Sequence, residues 1–369
     1  MKKQLIILAA LVLLLVSCAP KETVEEEEQT LPPIEVITPT PSPTPTPTPT
    51  PTPIPTPTPY EGPLNPLSGL PIDEKSVNLR PLAIVINNRK ISLPQLGISA
   101  ADVIVEVPVE GAYTRMLAIF QDITDAGNIG SVRSARPCFV DIAQSFDSIF
   151  IHAGGSNTAY NMLTSRGISR FDGVNGPGSN MFFRDKTRER TMGYEHSMLT
   201  STDKIAEYIG SRNYRLEHEE GYVSPLVFEE ELEISGTKVT DVTVKFNSSK
   251  STTLEYSADD GLFHASQQGG EYVDGNSGDQ LAFANIIIIK TTIKVVDSEG
   301  RLNIDLKTGG DGYLAIGGQY VPIKWSRQSD SAPFVFKDES GKEITLRSGK
   351  TYMAVISNAA SAEFSEGLV

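Results

Sequence analysis

Apolar and polar positions along the chain fall into four regimes, each with its own rhythm. From Leu5 to Val16 nearly every position is apolar, in one short run. From Thr38 to Pro59 proline takes every second place (Pro39, Pro41, Pro43 and onward), mostly with threonine between. Between about residues 61 and 225 short apolar runs alternate with stretches of helical period. From about 235 to 358 the pattern is that of strands throughout.

In the third regime, Leu82-Ala83-Ile84-Val85-Ile86 reads as a strand that ends on Asn87-Asn88. Valines at 103, 105, 107 and 109 alternate with Ile104, Glu106, Pro108 and Glu110. That period of two predicts a half-buried strand presenting Glu106, with Glu110 at its end. Thr114–Phe120 is a third strand and Ser148–His152 a fourth. Phe139, Ile142, Ala143 and Phe146 share one face of a helix over 135–146. Further helices are expected over 157–165, ended by Gly167, and over 202–209, ended by Gly210. Strands and helices in this order make a layered α/β domain.

The fourth regime is mostly β. Asn285–Lys290 is apolar on both faces, as a strand covered from both sides should be. Asp311-Gly312, Gly317-Gly318 and Ser340-Gly341 supply turns, and Trp325 is expected in the core.

The two ends of the pattern set the address. Met1-Lys2-Lys3, the short apolar run and Ser17-Cys18 describe a signal peptide over residues 1–18. The run is short of the roughly 20 residues that a spanning helix wants. Leu15-Val16-Ser17-Cys18 resembles the lipobox of bacterial lipoproteins, which implies a lipid thioether on Cys18. The chain is then expected at the extracytoplasmic face of the cell membrane, with the membrane as partner through that anchor. Each buried methylene holds it with about 0.8 kcal/mol. Residues 19–60 form an acidic and then Pro-Thr-rich spacer with no core of its own. Proline fixes φ, so the repeat should extend at about 3.1 Å per residue, roughly 70 Å in all.

Net charge is −14, and loss of Lys2 and Lys3 with the leader takes it to −16. No nucleic-acid partner is expected at that charge, and any anion site must be local. With Cys18 lipidated, Cys138 has no partner and is expected to be buried in its apolar setting. No cofactor is implied. No metal is expected either: the four histidines are scattered, and Asp274–Asp279 lacks the later acid of a calcium loop, with Asn285 at position 12.

Several longer runs carry a family likeness. Arg80–Asn88, Ala101–Glu106, Glu110-Gly111, Thr114-Arg115, Ile129–Pro137, His152–Ser156, Phe183–Asp185 and the His196 region resemble the YerB-like family of bacterial lipoproteins. The resemblance extends over nearly everything after residue 61. It implies a three-layer sandwich of sheets and helices followed by a smaller domain, and it brings no established reaction. The family pattern His-Asn-Leu-Tyr reads His196-Ser197-Met198-Leu199 here, so the Asn and Tyr side chains are replaced.

The polar residues left over suggest a site. Arg133 and Arg136 stand three apart, a spacing that would put both on one side of a helical turn. His152 closes a strand, and Gly154-Gly155-Ser156 lies between it and a helix, a geometry able to offer free backbone N–H groups to an anion. No Walker ending, dinucleotide fingerprint or Gly-x-Ser-x-Gly elbow is present, and Ser156 reads as a helix N-cap. Arg115, Arg184, Asp185, Arg188 and His196 are further candidates. If they converge, the arginines suit a phosphate, carboxylate or uronate and the histidines can move a proton. Glu106 or Glu110 could orient a histidine or accept a proton. In the plainer reading, Arg133 and Arg136 pair with Glu106 and Glu110 and lock sheet to helix. The functional expectation is a surface-anchored lipoprotein that binds an anionic small molecule, a cell-wall component or an envelope protein. The alternative is an envelope hydrolase or transferase using His152 and His196 with Arg133 and Arg136.

Overall fold

The computed structural model describes residues 60–367 apart from 177 and 231; Cys18 and the spacer lie outside the described residues. In chain order the principal elements begin with β1 (Leu82–Asn87), β2 (Val103–Pro108), β3 (Thr114–Phe120), α1 (Pro137–Ser145), β4 (Ile149–His152), α2 (Asn157–Ser165), β5 (Arg170–Asp172) and α3 (Thr202–Tyr208). The β-rich part follows with β6 (Asp241–Asn247), β7 (Lys250–Ser257), β8 (Leu262–Gln267), β9 (Asn285–Thr291), β10 (Ile293–Val295), β11 (Leu302–Ile304), β12 (Gly310–Ile316), β13 (Gln319–Ser326), β14 (Thr351–Ser357) and β15 (Ser361–Ser365). No helix among the described residues is long and apolar enough to cross a membrane.

One eleven-stranded sheet runs through both parts, with β13-β12-β9-β14-β2-β3-β1-β4-β5 as its main path. β14 pairs in parallel with β2 on one side and with β9 on the other. An α/β part therefore precedes a β-rich part along the chain, while in space the two share a sheet.

Strand alternation sorts the core into two faces. Ile84, Ile86, Ile104, Ala118, Ile286 and Ile288 point to one side, where Val242, Val244, Leu254 and Phe263 of the second sheet (β8-β7-β6-β15) meet them. Val85, Val103, Val105, Leu117 and Ile287 point to the other, against Phe139 and Ile142 of α1, Phe146 just past its end and Leu163 of α2. The result is three layers: sheet, sheet, helices. β2 departs from the half-buried strand expected of its alternation, because the second sheet covers the face that carries Glu106. Trp325 is buried and donates its indole N–H to the Lys290 carbonyl. Asp274 is a turn residue that accepts from the Gly97 and Ser99 amides.

The described chain enters at one end of this sheet. Asn65 Nδ2 and Ser68 Oγ both donate to Asp102, just before the amino end of β2.

Candidate functional site

β1, β4 and β5 are mutually parallel, and β2 shares their direction because both β1 and β2 pair antiparallel with β3. Their carboxyl ends form one rim, the place where open α/β sheets bind ligands. Most of the predicted polar residues gather there, in separate groups.

Glu110 follows β2 and receives the Arg136 guanidinium at Nε (2.9 Å) and Nη2, together with Arg115 Nη2 (3.1 Å). Burial opposes its ionisation, yet the Arg136 hydrogen bonds and the two guanidinium charges prevail and bring Glu110 down to about 2. Burial, and then the like charge of Arg136, lowers Arg115 to about 9. The plainer pairing thus holds for Arg136 with Glu110. It does not hold for Glu106, whose side chain points through the opposite face to Lys250 (3.0 Å).

Arg133 and Arg136 do not share a helical turn. Pro137 stands at the first position of α1 and keeps Arg136 extended (φ −130°, ψ 155°) as its N-cap. Arg133 instead reaches Glu195 Oε2 (3.1 Å), while Arg89 takes Oε1 (3.1 Å). Asn87 Oδ1 accepts the Arg89 amide, which turns Asn87 Nδ2 toward His196 Nδ1 (2.7 Å). His196 therefore carries its proton on Nε2, 3.1 Å from Glu195 Oε1. Arg184 lies over the Tyr194 ring and donates to the Tyr194 carbonyl (2.6 Å) and Ser197 Oγ. Asp185 caps the next helix and Arg188 is buried against the Ser92 and Pro94 carbonyls.

His152 is sealed from solvent. Its Nδ1 meets the Gly154 carbonyl at 2.8 Å, and burial lowers its pKa although Asp172, 3.9 Å away, pulls the other way. Neither Glu106 nor Glu110 orients a histidine. The glycine turn also differs from the open anion cradle its sequence suggests. Gly154 N–H donates to Asp172 Oδ1 (2.8 Å) and Ser156 N–H to the Ala135 carbonyl, because residues 133–136 run alongside it. Gly155 pairs with Ala135, and Ser156 caps α2 through Ala159 N as expected.

A cleft of about 620 Å³ opens beside this rim, between the amino ends of α1 and α2 and the β10–β11 hairpin. Arg136, Ser156, Arg166, Lys294, Arg301 and Lys307 line it, with Asp141, Asp297 and Asp305 among them.

The chain matches the N-terminal domain of the family "Protein of unknown function (DUF3048)" over residues 67–215 and its C-terminal domain over residues 242–353. It is also 32% identical over 305 residues to the Bacillus subtilis (strain 168) protein named "Putative lipoprotein YerB", covering 82% of this chain and 88% of that one. This chain belongs to the YerB-like DUF3048 family. The crystal structure of YerB from Bacillus subtilis superposes with a TM-score of 0.71 at 31% identity, over 81% of this chain and 99% of that one.

Within this YerB-like frame, sequence reasoning missed Arg89, Asp172, Glu195 and Lys250, and Tyr160, whose hydroxyl donates to Asp172 Oδ2 (2.6 Å). Asp172 follows an apolar strand residue and precedes Gly173, a strand-end acid that could have been flagged. Lys250 sits in a polar turn sequence, and nothing local marks it as the partner of a residue 144 positions earlier.

Proposed function

We propose that the chain is a lipid-anchored, extracytoplasmic binding protein that takes an anionic wall-space ligand in the cleft beside Arg136 and Ser156. The observation that carries this is charge. Five basic side chains (Arg136, Arg166, Lys294, Arg301, Lys307) line the cleft against three acidic ones, in a chain whose net charge is −14; four of the five also hold carboxylates, and Lys294 has no ion-pair partner among the described residues. The amino ends of α1 and α2 add their dipoles in the same sense.

The hydrolase or transferase alternative has less support. His152 is enclosed, and both ring nitrogens of His196 are committed, to Asn87 and Glu195.

The test is a calorimetric titration of the protein with tripolyphosphate and with a glucuronate trisaccharide, repeated on Lys294→Glu/Arg301→Glu. Both changes are on the hairpin side of the cleft. The reading expects binding of at least one probe and a loss of about tenfold in the variant, equivalent to about 1.4 kcal/mol, with an unchanged melting temperature. Equal binding by both proteins, or none by the wild type, overturns it.

A further inference from the structure

Glu195 is held as an incoming ligand would be. Three donors converge on its carboxylate: Arg89 Nη1, Arg133 Nη2 and His196 Nε2, each at 3.1 Å. The donors are better fixed than the acceptor. The His196 side chain is 3% exposed and oriented by Asn87, and that of Arg133 is 14% exposed. The Glu195 side chain is 55% exposed, on a single turn (Tyr194–His196) that follows Gly193, whose φ of +99° only glycine adopts without strain. Arg133 Nε is enclosed and has no acceptor among the described residues, so one donor is unspent. Two tyrosines flank the group. Tyr113 lies under Arg89 (4.4 Å) and Tyr194 under Arg184 (3.4 Å), and both are exposed. Arginine and tyrosine together make up the composition of binding hot spots.

We propose that Arg89, Arg133 and His196 form a carboxylate-recognition clamp, which Glu195 fills from within and yields to a carboxylate-bearing ligand flanked by Tyr113 and Tyr194. Ion pairs at so exposed a carboxylate contribute little, so exchange costs little. Two guanidiniums offer an incoming carboxylate planar, paired donors. The excess of charge favours an acid: Arg89 and Arg133 face one carboxylate, and Arg184 is stacked on the adjacent Tyr194. The clamp is separate from the cleft beside Ser156, and either can fail alone.

The experiment titrates full-length protein with a glutamate tripeptide, a glucuronate disaccharide and, as neutral control, a glutamine tripeptide, both peptides being N-acetylated and C-amidated so that only the side chains differ in charge. Glu195→Gln removes the internal competitor and should bind a carboxylate probe about tenfold tighter than wild type. Adding Arg89→Gln should abolish that gain, and adding Arg133→Gln should do the same. Arg89 is partly exposed, so its variant reads the clamp even if the Arg133 variant folds poorly. Tighter binding of the tripeptide alone assigns a peptide carboxylate, and of the disaccharide alone a uronate. Gain with both assigns the carboxylate whatever its carrier. No tightening in Glu195→Gln, or equal binding of the glutamine peptide, overturns the proposal.

Discussion

Lys250 Nζ lies 3.0 Å from Glu106 Oε1, and both side chains are sealed between the central sheet and the second sheet. Thr114, Asn88, Thr252 and Tyr352 all donate to the same carboxylate. Lys250 in turn reaches Thr252 Oγ1 and Gln267 Oε1. Burial opposes the charge on Glu106, yet Lys250 and these hydroxyls hold its pKa below the usual range. A polar seam of this kind joins residues from the two family domains through otherwise apolar packing.

Breaking that seam on one side should be expensive. Glu106→Gln leaves a buried ammonium without its counter-charge and is expected to lower stability by about 3–5 kcal/mol. Lys250→Met should cost a similar amount, and the double variant clearly less than the sum. Urea denaturation of the three variants checks this; additive losses would mean that the pair is not coupled.

The same seam shows what a sequence conveys. The elements were legible because their signals are local: β3 and α2 have the predicted bounds, and Ser156 is the expected cap. The valine alternation located β2 but not its cover, because the layer that buries Glu106 is folded from residues 241–267. The site was legible as a list and not as a geometry. Arg136 met Glu110 as one reading allowed, whereas Arg133 found Glu195, a neighbour of a flagged histidine that was not itself flagged. The glycine turn looked open because nothing local announces that Asp172 and Ala135 would take the amides of Gly154 and Ser156.

Acid should loosen the segment around Arg215. Asp147 accepts from Arg215 (2.7 and 2.9 Å) and His218 (2.9 Å) and sits beside Arg80 (3.2 Å). Burial raises its pKa, but the His218 and Arg215 hydrogen bonds and the Arg80 charge take it down to about 2. A depressed carboxylate gives stability that is complete above its unfolded value of about 3.9 and is lost as pH falls through the folded one. Asp147→Asn should therefore cost about 1 kcal/mol at neutral pH, after allowance for solvent screening, and flatten the stability profile between pH 4 and 2. An unaltered profile would remove Asp147 from this role.

His152 should act over a higher range. Its pKa is lowered by burial, so between the folded and unfolded values the unfolded chain binds the extra proton. Stability is then lost as pH falls below about 6.5, the unfolded value. His152→Gln should flatten the slope between pH 7 and 5, leaving the part due to His196, whose pKa burial also lowers. Denaturant midpoints across that range are the measurement, and an unchanged slope would show that His152 does not titrate with folding.

The two cysteines allow one experiment to read fold and anchor together. Cys138 is buried on α1, and desolvation, helped by the charge of Asp141, pushes its thiol up to about 12. Only the thiolate reacts readily, so iodoacetamide at pH 8 should leave the folded protein unlabelled at this position. Unfolding in guanidinium should expose it and add one label. Cys18 is the other cysteine of the chain and is free to react unless it carries a lipid thioether. Protein extracted from its host membrane should therefore take no label when folded and one when unfolded, by intact mass. A label gained in the folded state, or two on unfolding, would mean a bare Cys18, and the membrane attachment argued from the lipobox would fall while the fold stood.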